Sequence, residues 1–173
     1  MTMRPIAGLA MTAITSGVAH AVPATSTFYV QMTVIGACMV SAAPLDIDLG
    51  SVAARTGTVN YSGSTTIGVN CSKKTPFFIG LAPSNGNTSG RGTMGGATTG
   101  NTNKVPYRLY SNAALTQTWG NKATSTHRGN GVAGTGKGMA AAQALSFSAY
   151  AQVTTVNFRS DAYADTVTVN VHY

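Results

Sequence analysis

The chain has 173 residues, enough for one domain with a sizeable core, yet only 9% of them are charged. Its four acidic residues, Asp46, Asp48, Asp161 and Asp165, include no Glu, so the Glu and Lys surfaces typical of soluble helical proteins are absent. The formal charge of +7 comes from scattered cations, with Lys73 and Lys74 the only adjacent pair, and no basic stripe with interleaved aromatics marks a nucleic-acid partner.

The first residues, MTMRPIAGLAMTAITSGVAHA, combine Arg4, an apolar stretch from Ile6 to Val18, and the triplet Ala19-His20-Ala21. This pattern reads as a signal peptide over residues 1–21, with a short helix of the folded domain as the alternative. The apolar stretch is too short and too interrupted to be a transmembrane segment. Export makes the two cysteines, Cys38 and Cys71, a candidate disulfide; two free buried thiols are the other reading.

The mature N-terminus, VPATSTFYVQMTVIGAC, alternates Phe28, Val30, Met32 and Val34 against Tyr29, Gln31, Thr33 and Ile35, which predicts a long strand. PLDIDLG (44–50) predicts a second strand with Leu45, Ile47 and Leu49 as its apolar set. STTIGVNC aligns Thr65, Ile67, Val69 and Cys71, and TPFFIGLAP aligns Phe77, Ile79 and Leu81. KVPYRLYS places Val105, Tyr107 and Leu109 together, ALSFSAYAQV does so for Leu145, Phe147, Ala149, Ala151 and Val153, and DTVTVNVHY for Val167, Val169, Val171 and Tyr173. Two Gly, Asn, Ser and Thr-rich stretches, 84–103 and 120–138, read as long loops, and 131–138 is expected to tolerate replacement by a flexible linker. Short strands without a convincing helix give an all-β sandwich or barrel in a single domain, 22–173.

Candidate chemistry is sparse, and the chain is expected to need no cofactor and to be no enzyme. GVAGTGKG (131–138) nearly spells a phosphate loop, with Gly131, Gly136 and Lys137 in place, but Gly138 stands where a hydroxyl would hold Mg²⁺ and no strand precedes it. The overlapping Gly129, Gly131 and Gly134 fail as a dinucleotide fingerprint for the same reason. His127 and His172 have no spaced ligand or triad partner and read as solvated surface residues. Asp46 and Asp48 supply two ligands where Ca²⁺ takes six to eight, and Asn70-Cys71-Ser72 and Asn87-Thr88-Ser89 fit a glycosylation triplet that a bacterial-looking chain would not use.

The last apolar strand has no turn or partner strand after it, and such an edge invites pairing with another chain. From the residues alone, the early strand could equally fold back on its own domain or be donated to a neighbour. The segments leading into Gly36-Ala37-Cys38, LDIDLGSV (45–52), IGVNCSK around Cys71, VPYRLYSNAALTQTWG (105–120) and the C-terminal DAYADTVTVNVHY together resemble the spore coat protein U domain family and the subunits of archaic, Csu-type chaperone-usher pili. The resemblance implies an incomplete immunoglobulin-like β-sandwich completed by a donor strand. Residues 22–36 would be that donor, filling a neighbour through Phe28, Val30, Met32 and Val34, and Val167, Val169, Val171 and Tyr173 would form the acceptor edge. It implies a structural subunit of a fimbrium reaching the cell surface through the periplasm and serving adhesion or biofilm formation. A periplasmic chaperone, an outer-membrane usher and neighbouring pilin subunits are the implied partners. The alternative is a stand-alone secreted or coat-type binding domain, with Tyr110, Trp119 and the long loops meeting a glycan.

Overall fold

The computed structural model describes residues 22–173, in two units, 22–33 and 34–173. The signal-peptide expectation for 1–21 lies outside the described residues. Residues 22–37 carry no strand pairing, and Phe28, Val30, Met32 and Val34 are 77–86% exposed.

The remainder is all-β, with no α-helix among the described residues. In chain order the strands are β1 (Cys38–Ala42), β2 (Tyr61–Cys71), β3 (Pro76–Pro83), β4 (Arg91–Gly96), β5 (Lys104–Tyr110), β6 (Val132–Thr135), β7 (Leu145–Val153), β8 (Tyr163–Ala164) and β9 (Val167–His172), with one 3₁₀ turn at Ala141–Gln143. They form a six-stranded antiparallel sheet in the order β1-β2-β7-β5-β4-β8 and a three-stranded one in the order β6-β3-β9.

The period-two faces make the core. β2 and β7 pair so that Ile67 opposes Phe147 and Thr65 opposes Ala149, placing both apolar sets on one face. Phe77, Ile79 and Leu81 of β3 cover that face, and the Phe77 ring meets Phe147 edge-on at 5.9 Å between centroids. Val105, Tyr107 and Leu109 of β5 complete the buried set. Trp119 is fully buried, and its indole Nε1 donates to the Ile79 carbonyl at 2.8 Å, joining the connection after β5 to the central strand of the small sheet.

Three expectations are corrected. The 44–50 segment is not a strand: Ile47 and Leu49 pack on the core, where an added Cβ on Gly63 would meet Ile47 at 2.7 Å, but Leu45 is exposed and no ladder partner runs beside the segment. The 84–103 stretch contains β4, and 120–138 contains β6. In each of these two strands a glycine faces a ring that leaves no room for a side chain: a Cβ on Gly92 would fall on the Tyr107 ring at 2.0 Å, and one on Gly134 on the Phe77 ring at 2.3 Å. Residues 131–138 are therefore packed structure rather than a replaceable loop.

Candidate functional site

The feature that stands apart from an ordinary closed sandwich is the outer flank of β9. β9 pairs with β3 through Phe78↔His172, Ile79↔Val171, Leu81↔Val169 and Pro83↔Val167, and among the described residues it has no ladder partner on its other side. Val167, Val169 and Val171 pack against the core yet stay only half-buried, and Tyr173 is exposed. Their β3 neighbours Ile79 and Leu81 are buried, so burial falls across a single strand spacing. β1, the edge of the other sheet, approaches β9, and its Met39 is 49% exposed. β9 and β1 thus each end their sheet, with backbone donors and acceptors unpaired on the outer side among the described residues. An extended segment with alternating apolar side chains is the complement such an edge fits.

Two devices hold these edges in place. β1 is joined to β2 by a disulfide between Cys38 and Cys71, which are also direct ladder partners (Cα–Cα 4.1 Å, S–S 2.03 Å). At the start of β9, the Asp165 carboxylate accepts hydrogen bonds from the Tyr107 hydroxyl at 2.6 Å, from the Ser84 hydroxyl and from the Thr166 amide at 2.9 Å. Burial first, then the hydrogen bond and charge of Asp165, push the Tyr107 hydroxyl far above its ordinary range, so it remains a donor. β3, β5 and β9 are tied together there.

Asp161 and Asp48 also serve local structure. Asp161 accepts from Asn101 Nδ2 at 2.6 Å, from Thr98 N at 3.0 Å and from Thr98 Oγ1 at 2.9 Å, and these bonds hold its pKa down at about 2. Asp46 and Asp48 are exposed, and Asp48 accepts the Gly50 amide at 2.8 Å.

The phosphate-loop resemblance dissolves because its amides are already used: Gly136 N donates to Thr75 O at 2.8 Å and Gly138 N to Cys71 O at 2.9 Å. His127 is exposed. His172 is not the solvated residue expected from its polar register, since it is half-buried and its Nε2 is enclosed without a hydrogen-bond partner among the described residues. Trp119 and Tyr110, the aromatics of the glycan alternative, are both buried; the Tyr110 hydroxyl donates to Gln152 Oε1 at 3.2 Å. Sequence reasoning missed the Asp165–Tyr107–Ser84 anchor, whose members lie up to 81 residues apart with no spacing to connect them.

No curated protein matches the chain. Among solved structures it is similar to a chain in the crystal structure of the CsuC–CsuE chaperone–tip adhesion subunit pre-assembly complex from archaic chaperone-usher Csu pili of Acinetobacter baumannii, with 22% identity and a TM-score of 0.47. That match covers 82% of this chain and spans 40% of the length of the other. A family model, the Spore Coat Protein U domain, matches residues 24–170. The chain belongs to the Spore Coat Protein U domain family.

Proposed function

We propose that the chain is a structural subunit of a surface fibre, a chaperone-usher pilus, polymerised by strand donation and serving attachment or biofilm formation. The observation that carries the reading is the unpaired outer edge of β9 with its half-buried valines, found in a chain whose residues 28–34 present an exposed alternating apolar set. In this reading Phe28, Val30, Met32 and Val34 enter the flank of a neighbouring copy beside Val167, Val169, Val171 and Tyr173. Each donor side chain contributes roughly 1.5–3 kcal/mol of transfer free energy, together on the order of 6–12 kcal/mol before the cost of ordering the strand.

A domain with such a flank exposes apolar interior until it is filled, which calls for a periplasmic chaperone during export and an outer-membrane usher for ordered assembly. Residues 1–21 would be removed on export. No helix among the described residues is long and apolar enough to cross a membrane.

The test is the double substitution Val30→Asp and Met32→Asp. Each would place an unpaired carboxylate in the neighbour's interior, which is strongly unfavourable. Fibres should be lost while the variant is still recovered from the periplasm bound to its chaperone. Loss of the folded domain itself would make the strand intramolecular and overturn the proposal.

A further inference from the structure

Away from the open flank, the outer face of the large sheet carries a pair of arginines with no counter-charge. Arg91 of β4 and Arg108 of β5 are direct ladder partners, so both side chains leave the same face of the sheet. Directly opposed side chains have Cβ atoms about 4.5–5.5 Å apart, and like charges at that spacing destabilise a sheet. The chain has only four carboxylates to relieve them, and those that accept hydrogen bonds take them from other groups: Asp48 from Gly50, Asp161 from Thr98, Asn101 and Ala162, Asp165 from Ser84, Tyr107 and Thr166. Among the described residues, no carboxylate hydrogen-bonds either guanidinium.

The pair opens onto a groove of about 500 Å³, within the usual range of ligand sites. The groove continues across β7, where Gln152 is the ladder partner of Arg108. Gln152 is held by the Tyr110 hydroxyl at 3.2 Å and by Asn60 Oδ1, to which its Nε2 donates at 2.6 Å. The opposite wall is the turn before β4, fixed by Asn87 Oδ1 accepting from Ser89 N at 2.8 Å and Asn85 Nδ2 donating to Arg91 O at 3.2 Å. Thr93 adds a hydroxyl-bearing side chain to the lining.

We infer that this groove binds an acidic saccharide, with the Arg91 and Arg108 guanidiniums on a uronate carboxylate and the flanking amides and hydroxyl on sugar hydroxyls. A guanidinium pair offers charge-assisted, bidentate hydrogen bonds to a carboxylate, and amide and hydroxyl groups match a polyol in both donor and acceptor roles. Single-stranded nucleic acid fits less well: it needs exposed aromatic platforms, and the aromatics at this groove, Tyr107 and Tyr110, are both buried. The inference goes beyond the fibre proposal and does not depend on it, because every residue used lies on the folded face of one copy.

The experiment is titration of fluorescent tetragalacturonate into the full chain, a ligand small enough to report single sites in any state of assembly. Saturable binding is expected, with maltotetraose failing to compete. Arg108→Glu should weaken it at least tenfold while leaving the melting temperature unchanged or higher, since a carboxylate would then face Arg91 across the ladder. Arg91→Gln, at an exposed position, should weaken it by a similar factor. Lys122→Glu, an equal change of net charge at an exposed residue outside the groove, should change it less than twofold. Unchanged binding by both arginine variants, equal loss in the Lys122 control, or stronger competition by an oligonucleotide than by polygalacturonate would each overturn the assignment.

Discussion

Gly136→Ala separates the packed reading of 131–138 from a loose-loop reading by the sign of its effect. In a free loop, replacing Gly by Ala stabilises by about 0.4–1 kcal/mol, because the unfolded chain loses conformational freedom. Here an alanine Cβ would lie 2.1 Å from Ser72 O, 2.6 Å from Cys71 O and 2.8 Å from Cys71 C. All three are backbone atoms at the end of β2, where the disulfide and the 2.9 Å hydrogen bond from Ser72 N to Ala37 O limit retreat. Position 136 must move instead, straining the 2.8 Å bonds from Gly136 N to Thr75 O and from Lys74 N to Gly136 O. Overpacking costs about 1–3 kcal/mol and each backbone bond about 1 kcal/mol net, so a loss of about 3 kcal/mol is expected. Urea unfolding followed by the fluorescence of Trp119, the only tryptophan and fully buried, measures it. With a urea slope of about 1–3 kcal/mol per molar, the midpoint should fall by about 1 M or more. Thr135→Ala, at the exposed last residue of β6 just before Gly136, should stay within about 0.5 kcal/mol of the parent. A neutral or stabilising Gly136→Ala would refute the argument and restore the loose loop.

Replacing Cys38 and Cys71 together by Ala should cost about 3.7 kcal/mol on the loop-closure estimate for their 33-residue separation, and the same unfolding assay with and without reductant should show it. Asp161 has its folded-state pKa lowered from the ordinary 3.8 to about 2, so the stability it adds is present above about pH 4 and is lost as pH falls toward 2. Asp161→Asn should therefore be less stable than the parent at neutral pH, with the gap closing between pH 4 and pH 2; a gap that is constant across that window would contradict the assigned hydrogen bonds.

What was legible in the sequence follows from which forces act locally. Strands that carry large side chains at alternate positions declare their buried face: Ile67, Val69 and Cys71, Phe77, Ile79 and Leu81, and Val105, Tyr107 and Leu109 are each buried as the alternation required. β4 and β6 were invisible because their inward positions hold glycines, such as Gly92 and Gly134, over which the Tyr107 and Phe77 rings lie. Apolar alternation has nothing to register where the partner strand supplies the side chain. The 44–50 segment failed in the opposite sense: it has the alternation and puts Ile47 and Leu49 on the core, but a strand also needs a ladder, and none runs beside it. Trp119 shows the limit for site reading, since an aromatic in a polar stretch gives no sign of whether its indole meets solvent or a backbone carbonyl such as that of Ile79. The last apolar strand could be read as an edge, but which strand it lies beside depends on sheet order, which alternation along one strand does not encode.

The central claim is that the β9 flank takes an external strand with the pattern of residues 22–36. A chain of residues 37–173, produced with the chaperone that the proposal calls for and then mixed with a synthetic peptide of residues 22–36, tests it by thermal unfolding. The peptide should displace the chaperone and raise the unfolding temperature, and a peptide carrying Val30→Asp and Met32→Asp should do neither. A 37–173 domain that is stable alone and indifferent to both peptides would contradict the account.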